Sequence, residues 1–126
     1  MKTLLDTNFL LLVFRNKINL EAALENLLDE RPQLATLSSC VQELKMLAAS
    51  KKEAERNAAK AALRWVEGGG VKVIEASGKS DKAILDWAAA NKNAVVCTND
   101  QNLRAALAAK GAKVACAKRG GALTVC

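Results

Sequence analysis

Residues 1–12 read MKTLLDTNFLLL, a short apolar run that reaches Asp6 and then changes its pattern. Residues 2–6 have the length and hydrophobicity of a buried strand, whereas the residues after Asp6 have the spacing of a helix. A strand that passes directly into a helix is typical of α/β folds. Asp6 therefore stands where a predicted strand ends.

The same alternation continues along the chain. Strands are predicted at 2–6, 34–37, 71–75, 94–97 and 113–116, and helices at 7–15, 20–30, 39–50, 52–67, 80–91 and 99–109. This order predicts an α/β fold, a three-layer α/β/α sandwich with a central parallel sheet of about five strands. The tail from Lys118, with Gly120-Gly121 before Ala-Leu-Thr-Val, either adds an edge strand or frays.

The length of 126 residues predicts a single domain over residues 1–126. The longest apolar run, Phe9 to Phe14, is far shorter than the ~20 residues of a membrane span. We therefore expect a cytoplasmic protein.

Three further acids occupy junctions like that of Asp6. Glu43, Asp81 and Asp100 each lie where an apolar run gives way to a helical pattern. In an open parallel sheet, ligands bind beyond the carboxyl ends of the strands. We therefore expect these four carboxylates to lie together at one edge of the sheet.

Each acid alone is more often a helix cap than a metal ligand. Thr7, Ser39 and Thr98 are able to cap instead, and the last two have the capping-box spacing Ser39-x-x-Gln42 and Thr98-x-x-Gln101. Packing four carboxylates together is unfavourable unless cations lie between them. The combination therefore predicts a metal site.

Absent residues narrow the chemistry further. The chain has no His and no Tyr, which excludes His acid–base catalysis, Ser-His-Asp and Cys-His nucleophiles, and His-bearing zinc sites. Oxygen ligands alone favour Mg²⁺ or Mn²⁺, with metal-activated water as the nucleophile of a hydrolase. The chain has four cysteines: Cys40, Cys97, Cys116 and Cys126. They form no Cys-x-x-Cys pair, so they indicate neither a zinc module nor a disulfide framework. This cysteine usage favours the reducing cytosol.

The net charge of +6 favours a polyanionic partner. Lys52, Arg56, Lys60 and Arg64 recur every four residues along one predicted helix, and Lys45 is a further candidate. These cations form either a solvated face or a stripe that follows RNA phosphates. Aromatic residues make up only 3% of the chain, so base stacking is not indicated.

The motifs together resemble a known family. Four motifs stand in the order found in the PIN domain, a metal-dependent nuclease fold. They are Asp6-Thr7-Asn8, the helical Glu43, Asp81-x-x-Ile84 and Thr98-Asn99-Asp100-x-x-Leu103. The resemblance extends from Lys2 to about Cys116. It implies that Asp6, Glu43, Asp81 and Asp100 are catalytic acids that hold one or two Mg²⁺ or Mn²⁺ ions.

The resemblance also implies supporting roles. Asn8 would orient Asp6 or a metal-bound water, and Thr98 would shape the fourth motif. Asn102 stands where many relatives have another Asp, which weakens a second metal position.

Within the family, the chain looks most like VapC-like ribonucleases and archaeal relatives of PIN nucleases that process ribosomal RNA. That likeness implies an endoribonuclease that leaves 5′-phosphate and 3′-hydroxyl ends. The partners it implies are RNA and an antitoxin or a ribosome-assembly protein, with a homodimer plausible. A toxin role and an RNA-maturation role both stay open.

Two other function classes compete with the nuclease. A non-catalytic RNA-binding or scaffold module would keep the fold and leave the acids as caps. A phosphatase or response regulator would also place an Asp after the first strand. However, Asp6-Thr7-Asn8 lacks the second Asp of an Asp-x-Asp motif, and no Asp ends the strand at 71–75.

Overall fold

The computed structural model describes every residue from Met1 to Cys126. Its elements in chain order are β1 (Lys2–Leu5), α1 (Thr7–Arg15), α2 (Leu20–Leu28), β2 (Gln33–Leu37), α3 (Ser38–Leu47), α4 (Glu53–Glu67), β3 (Lys72–Ile74), α5 (Ser80–Ala90), β4 (Val95–Cys97), α6 (Gln101–Ala109), β5 (Lys113–Ala117) and β6 (Leu123–Val125). Strands and helices alternate as predicted, with boundaries that shift by a few residues.

One sheet of six strands runs in the order β3-β2-β1-β4-β5-β6. The first five strands in this order are parallel, and β6 pairs antiparallel with β5 at the edge. The predicted α/β sandwich is therefore confirmed, and the tail supplies the edge strand that the sequence left open. With β1 central, its carboxyl end lies between those of β2 and β4.

Helices cover both faces of the sheet. Successive strand residues point to opposite faces, so Leu5 joins one buried cluster and Leu4 the other. The first cluster takes its side chains from α1, α2 and α4, including Phe9 and Leu24, and the second takes Ile84 of α5 and two leucines of α6. These two cores hold the strands in a fixed register beneath the site.

The tail is joined to the sheet by a disulfide between Cys116 of β5 and Cys126. The cysteine spacing indicated no disulfide framework, and this single pair forms because β6 folds back beside β5 and brings residues ten apart together. Cys40 and Cys97 are free and buried. No helix has the length and hydrophobicity needed to cross a membrane.

Candidate functional site

Asp6 follows β1 and is held on both sides of its carboxylate. It is the N-cap of α1, where Oδ1 accepts a 2.8 Å hydrogen bond from the backbone N–H of Thr7. Oδ2 accepts a 2.7 Å bond from the hydroxyl of Thr98, the residue that follows β4. Only 6% of Asp6 is exposed. The adjacent strands therefore fix this carboxylate in position.

The burial of Asp6 has an electrostatic consequence. Desolvation raises the pKa of its carboxyl above the usual value, while the hydrogen bonds from Thr98 and Thr7 work in the opposite direction. The nearby carboxylates of Glu43 and Asp81 raise the pKa of Asp6 further. A cation in this region would relieve their repulsion.

Glu43 and Asp81 lie on two helices, α3 and α5, that are connected by the hydrogen bonds of Ser80. Glu43 lies on α3, and its Oε1 accepts a 2.7 Å hydrogen bond from the hydroxyl of Ser80. The same hydroxyl lies 3.0 Å from that of Ser39. Asp81 follows Ser80 in the first turn of α5 and is exposed. Ser80 is a site residue that the sequence motifs did not identify.

Asp100 is the N-cap of α6. Its Oδ1 accepts a 3.0 Å bond from the backbone N–H of Leu103, and its own N–H donates to the Thr98 hydroxyl at 3.2 Å. Thr98 therefore links Asp100 to Asp6, since it accepts from one residue and donates to the other.

Both predicted capping boxes are wrong. Helix α3 begins directly after β2 without a side-chain cap, Ser39 contacts Ser80 instead, and Glu43 lies in the second turn rather than the first. Thr98 turns into the buried interior to reach Asp6, so Asp100 caps α6. Asp6 and Asp100 therefore do act as caps, contrary to expectation, whereas Asp81 and Glu43 do not.

The four predicted acids line one cleft of about 250 Å³. Thr7, Asn8 and Ser80 also line it. No three acidic or cysteine side chains, however, are arranged around a single point as ion ligands would be. One oxygen each of Asp6 and Asp100 is engaged by a helix N-terminus, and Glu43 bonds Ser80.

The donor chemistry of the cleft fits a hard divalent cation, because it offers carboxylate and hydroxyl oxygens. The hydroxyl of Thr7 is buried and makes no hydrogen bond of standard geometry. It stands beside the thiol of Cys40, which is a weak partner and also lies 3.7 Å from Oδ1 of Asp6. Burial raises the pKa of the Cys40 thiol, which therefore stays protonated at neutral pH. The sequence motifs did not identify Cys40 as a neighbour of the site.

Two asparagines position the loop between β4 and α6. Oδ1 of Asn8 accepts from the backbone N–H of Asn99 at 3.0 Å and lies 3.4 Å from the Thr98 hydroxyl. The side chain of Asn99 bonds both backbone groups of Ala117, at 2.7 and 3.0 Å. Asn102, predicted as a supporting residue, is exposed on α6 and does not line the cleft.

The predicted cations lie on α3, on α4 and at its N-cap. Lys45, Lys52, Lys60 and Arg64 are exposed, while Arg56 is half-buried and donates to the backbone oxygen of Ser50 at 3.2 Å. The only ion pair within 4 Å joins the amino terminus to Glu30, so none of these cations is neutralised by a neighbouring carboxylate.

Comparisons with known proteins agree with this architecture. A family model described as a PIN like domain matches residues 3–119. The chain is 35% identical over 102 residues to Ribonuclease VapC4 of Methanocaldococcus jannaschii, covering 79% of this chain and 76% of that protein. The solved structure of the PIN domain endonuclease Utp24 superimposes with a TM-score of 0.81 at 21% identity, over 98% of this chain and 90% of that one, which shows a shared fold. The resemblance of the sequence motifs is thus confirmed, and the chain belongs to the PIN-like domain family.

Proposed function

We propose that residues 1–126 form a single nuclease domain that hydrolyses RNA phosphodiester bonds as an endoribonuclease. The observation that carries the proposal is the cleft that Asp6, Glu43, Asp81 and Asp100 line together from four separate elements. Membership of the PIN-like family and the likeness to a ribonuclease support it.

Asp6, Glu43, Asp81 and Asp100 would hold one or two Mg²⁺ or Mn²⁺ ions. A bound ion would supply activation of water and stabilisation of the charge on the phosphodiester. Thr98 and the Thr7 N–H keep Asp6 oriented toward this position, and Ser80 restrains Glu43.

Asn8 and Thr98 act as positioning residues in this proposal. Asn8 ties α1 to the loop that carries Asp100, through the backbone of Asn99. Hydrogen bonds through Thr98 and Asn99 therefore set the separation between Asp6 and Asp100. Asn102 is left outside this network.

Four exposed cations and the half-buried Arg56 would supply the contacts to RNA. Lys45, Lys52, Arg56, Lys60 and Arg64 would follow the phosphate backbone, since none of them is engaged by a carboxylate. Each neutralised phosphate adds to the salt dependence of binding, so affinity for single-stranded RNA should fall steeply with ionic strength.

Asp81→Asn tests the acidic site, because Asp81 is exposed and makes no hydrogen bond that the fold needs. We expect Mn²⁺-dependent cleavage of single-stranded RNA to fall to background while the thermal unfolding temperature stays unchanged. Asp86→Asn is the matched control, since Asp86 is exposed on the same helix but lies outside the cleft. Equal cleavage by wild type and Asp81→Asn would overturn the assignment.

A non-catalytic RNA-binding or scaffold module is the second candidate. The observation that favours it is the engagement of Asp6 and Asp100 as helix caps, with no three acids arranged around one point. Calorimetry separates the two functions. Salt-sensitive RNA binding without Mn²⁺ binding or cleavage would support the module.

A cytoplasmic role as a toxin or in RNA maturation would bring different partners. An antitoxin would suppress growth arrest on expression, whereas a ribosome-assembly protein would direct the nuclease to precursor RNA. Growth arrest that depends on Asp81 would favour the toxin. Sedimentation would show whether the chain forms the expected homodimer.

A further inference from the structure

A cavity of about 700 Å³ opens at the edge of the sheet opposite the acidic cleft. Met1, Ala94 and Lys113 line it, and these residues stand at the amino ends of β1, β4 and β5. Because these strands are parallel, the carboxyl ends of β1 and β4 lead into the acidic cleft, while the amino ends of all three strands border this cavity. The two sites are therefore separated by the length of the strands.

The floor of the cavity is apolar and is built from small or branched side chains. Leu85 and Ala88 come from α5, Leu107 comes from α6, and Ala112 precedes β5. Leu107 is buried, whereas the other three are partly exposed to solvent. A concave apolar surface of this kind accepts an inserted aliphatic side chain.

The rim carries only positive charge. Lys92, Lys110 and Lys113 are exposed around the cavity, and no Asp or Glu lines it. None of the three lysines lies within 4 Å of a carboxylate. Lys2 adds a fourth cation nearby, where its Nζ donates to Oδ1 of Asn91 at 3.2 Å.

Helix dipoles explain only part of this arrangement. Lys92 and Lys110 follow the last turns of α5 and α6, where cations are favourable. Lys113 begins a strand and serves no helix end. Dipole compensation also gives no reason for an open apolar floor between the lysines.

We propose that this cavity docks a partner protein through an acidic segment that inserts an aliphatic side chain. The carboxylates of the segment would meet the lysines, and its aliphatic side chain would cover Leu85 and Ala88. Charge complementarity of this kind sets partner choice and association rate. RNA fits less well, since no aromatic ring lines the cavity to stack on a base. The proposal does not depend on the nuclease assignment.

The probe is a short synthetic peptide of alternating glutamate and leucine, added to the whole chain and followed by amide chemical shifts. We expect saturable shifts at Ala88, Ala89, Gly111 and Ala112. The triple variant Lys92→Glu/Lys110→Glu/Lys113→Glu should bind at least about tenfold more weakly, because attraction becomes repulsion. Its circular dichroism should match that of wild type.

The matched control reverses three cations elsewhere. Lys51→Glu/Lys60→Glu/Arg64→Glu has the same net charge as the first variant and should keep wild-type affinity for the peptide. A second peptide with serine in place of leucine should bind more weakly if the apolar floor contributes.

Three results would overturn the docking site. One is equal binding of the leucine and serine peptides, which would reduce the effect to general charge attraction. Another is equal loss of affinity in both charge-reversed variants. The third is oligouridylate binding that depends on Lys92, Lys110 and Lys113 while the glutamate–leucine peptide fails to bind, which would make this face an RNA contact.

Discussion

The hydroxyl of Thr98 donates a 2.7 Å hydrogen bond to Oδ2 of Asp6 and joins the ends of the neighbouring strands β4 and β1. Thr98 is fully buried and Asp6 nearly so. Since Oδ1 of Asp6 already accepts from the backbone of Thr7, the orientation of the carboxylate is set by groups on both sides. The site therefore inherits its geometry from the pairing of two parallel strands.

Thr98→Val should remove this hydrogen bond and keep the branched shape of the side chain. We expect the free energy of unfolding to fall by about 1–3 kcal/mol, because a buried carboxylate oxygen loses its partner. Under the proposed function, Mn²⁺ affinity should fall as well. Urea denaturation and calorimetry measure the two effects.

Thr36→Val is the matched control for that variant. The Thr36 hydroxyl is also fully buried and donates at 2.8 Å, but to the backbone oxygen of Leu5 rather than to an acid. The Thr36→Val protein should be less stable than wild type but should keep the Mn²⁺ affinity of wild type. Equal loss of Mn²⁺ affinity in both variants would show that Thr98 acts only through the fold.

Asp6→Asn should stabilise the metal-free protein at neutral pH. Burial raises the pKa of Asp6 in the folded chain above its usual 3.8, so the folded chain holds the proton more tightly than the unfolded chain. The contribution of Asp6 to stability is then greatest below the unfolded pKa, and it is lost as the pH rises through the folded pKa. Asparagine keeps the N-cap and avoids the buried charge.

Urea denaturation across pH in the presence of a chelator measures this effect. The stability advantage of Asp6→Asn over wild type should be largest at pH 7 and should shrink as the pH falls toward 3.8. A variant less stable than wild type by the same amount at every pH would contradict it.

The acids and their neighbours show which features of the site could be predicted from the sequence alone. Asp6 and Asp100 could be placed at one edge of the sheet, because apolar runs mark the strands and parallel pairing aligns their ends. The capping roles of these two acids could not be predicted. The N-cap is the residue at which helical geometry begins, and a boundary shift of one or two residues changes which residue that is. The N-cap of α3 is Leu37, whose apolar side chain cannot accept a hydrogen bond.

The sequence also did not predict the hydrogen bonds between polar residues that are far apart along the chain. Ser80 and Glu43 are 37 positions apart, and their hydrogen bond depends on how α3 and α5 meet beyond the sheet. Hydrophobic periodicity specifies which face of a helix is buried, but it does not specify which polar side chains touch at the ends. The lysines at the opposite edge belong to different elements, and the pairing of β4 with β5 brings Lys92 and Lys113 to one cavity.

Asn99→Ala should cost about 1–3 kcal/mol of stability, because the side chain bonds both the N–H and the carbonyl of Ala117 and both backbone groups would lose a partner. Asn102→Ala is the matched control. Its side chain is exposed, and the change should stay within about 0.5 kcal/mol. Thermal denaturation of the two variants measures the difference, and equal stabilities would show that the loop is held by other contacts.

Gly121→Ala should destabilise the packing of the tail on the turn after α1. Gly121 has a φ of 92°, and an added Cβ would lie 2.8 Å from Cβ of Asn16 and 2.8 Å from Cγ1 of Ile18. Backbone strain and the clash together should cost about 1–3 kcal/mol. Gly120→Ala is the adjacent control, since no atom lies within 4 Å of its added Cβ and its φ is not positive. Urea denaturation compares the two variants, and a Gly121→Ala protein as stable as Gly120→Ala would show that the turn moves aside without loss.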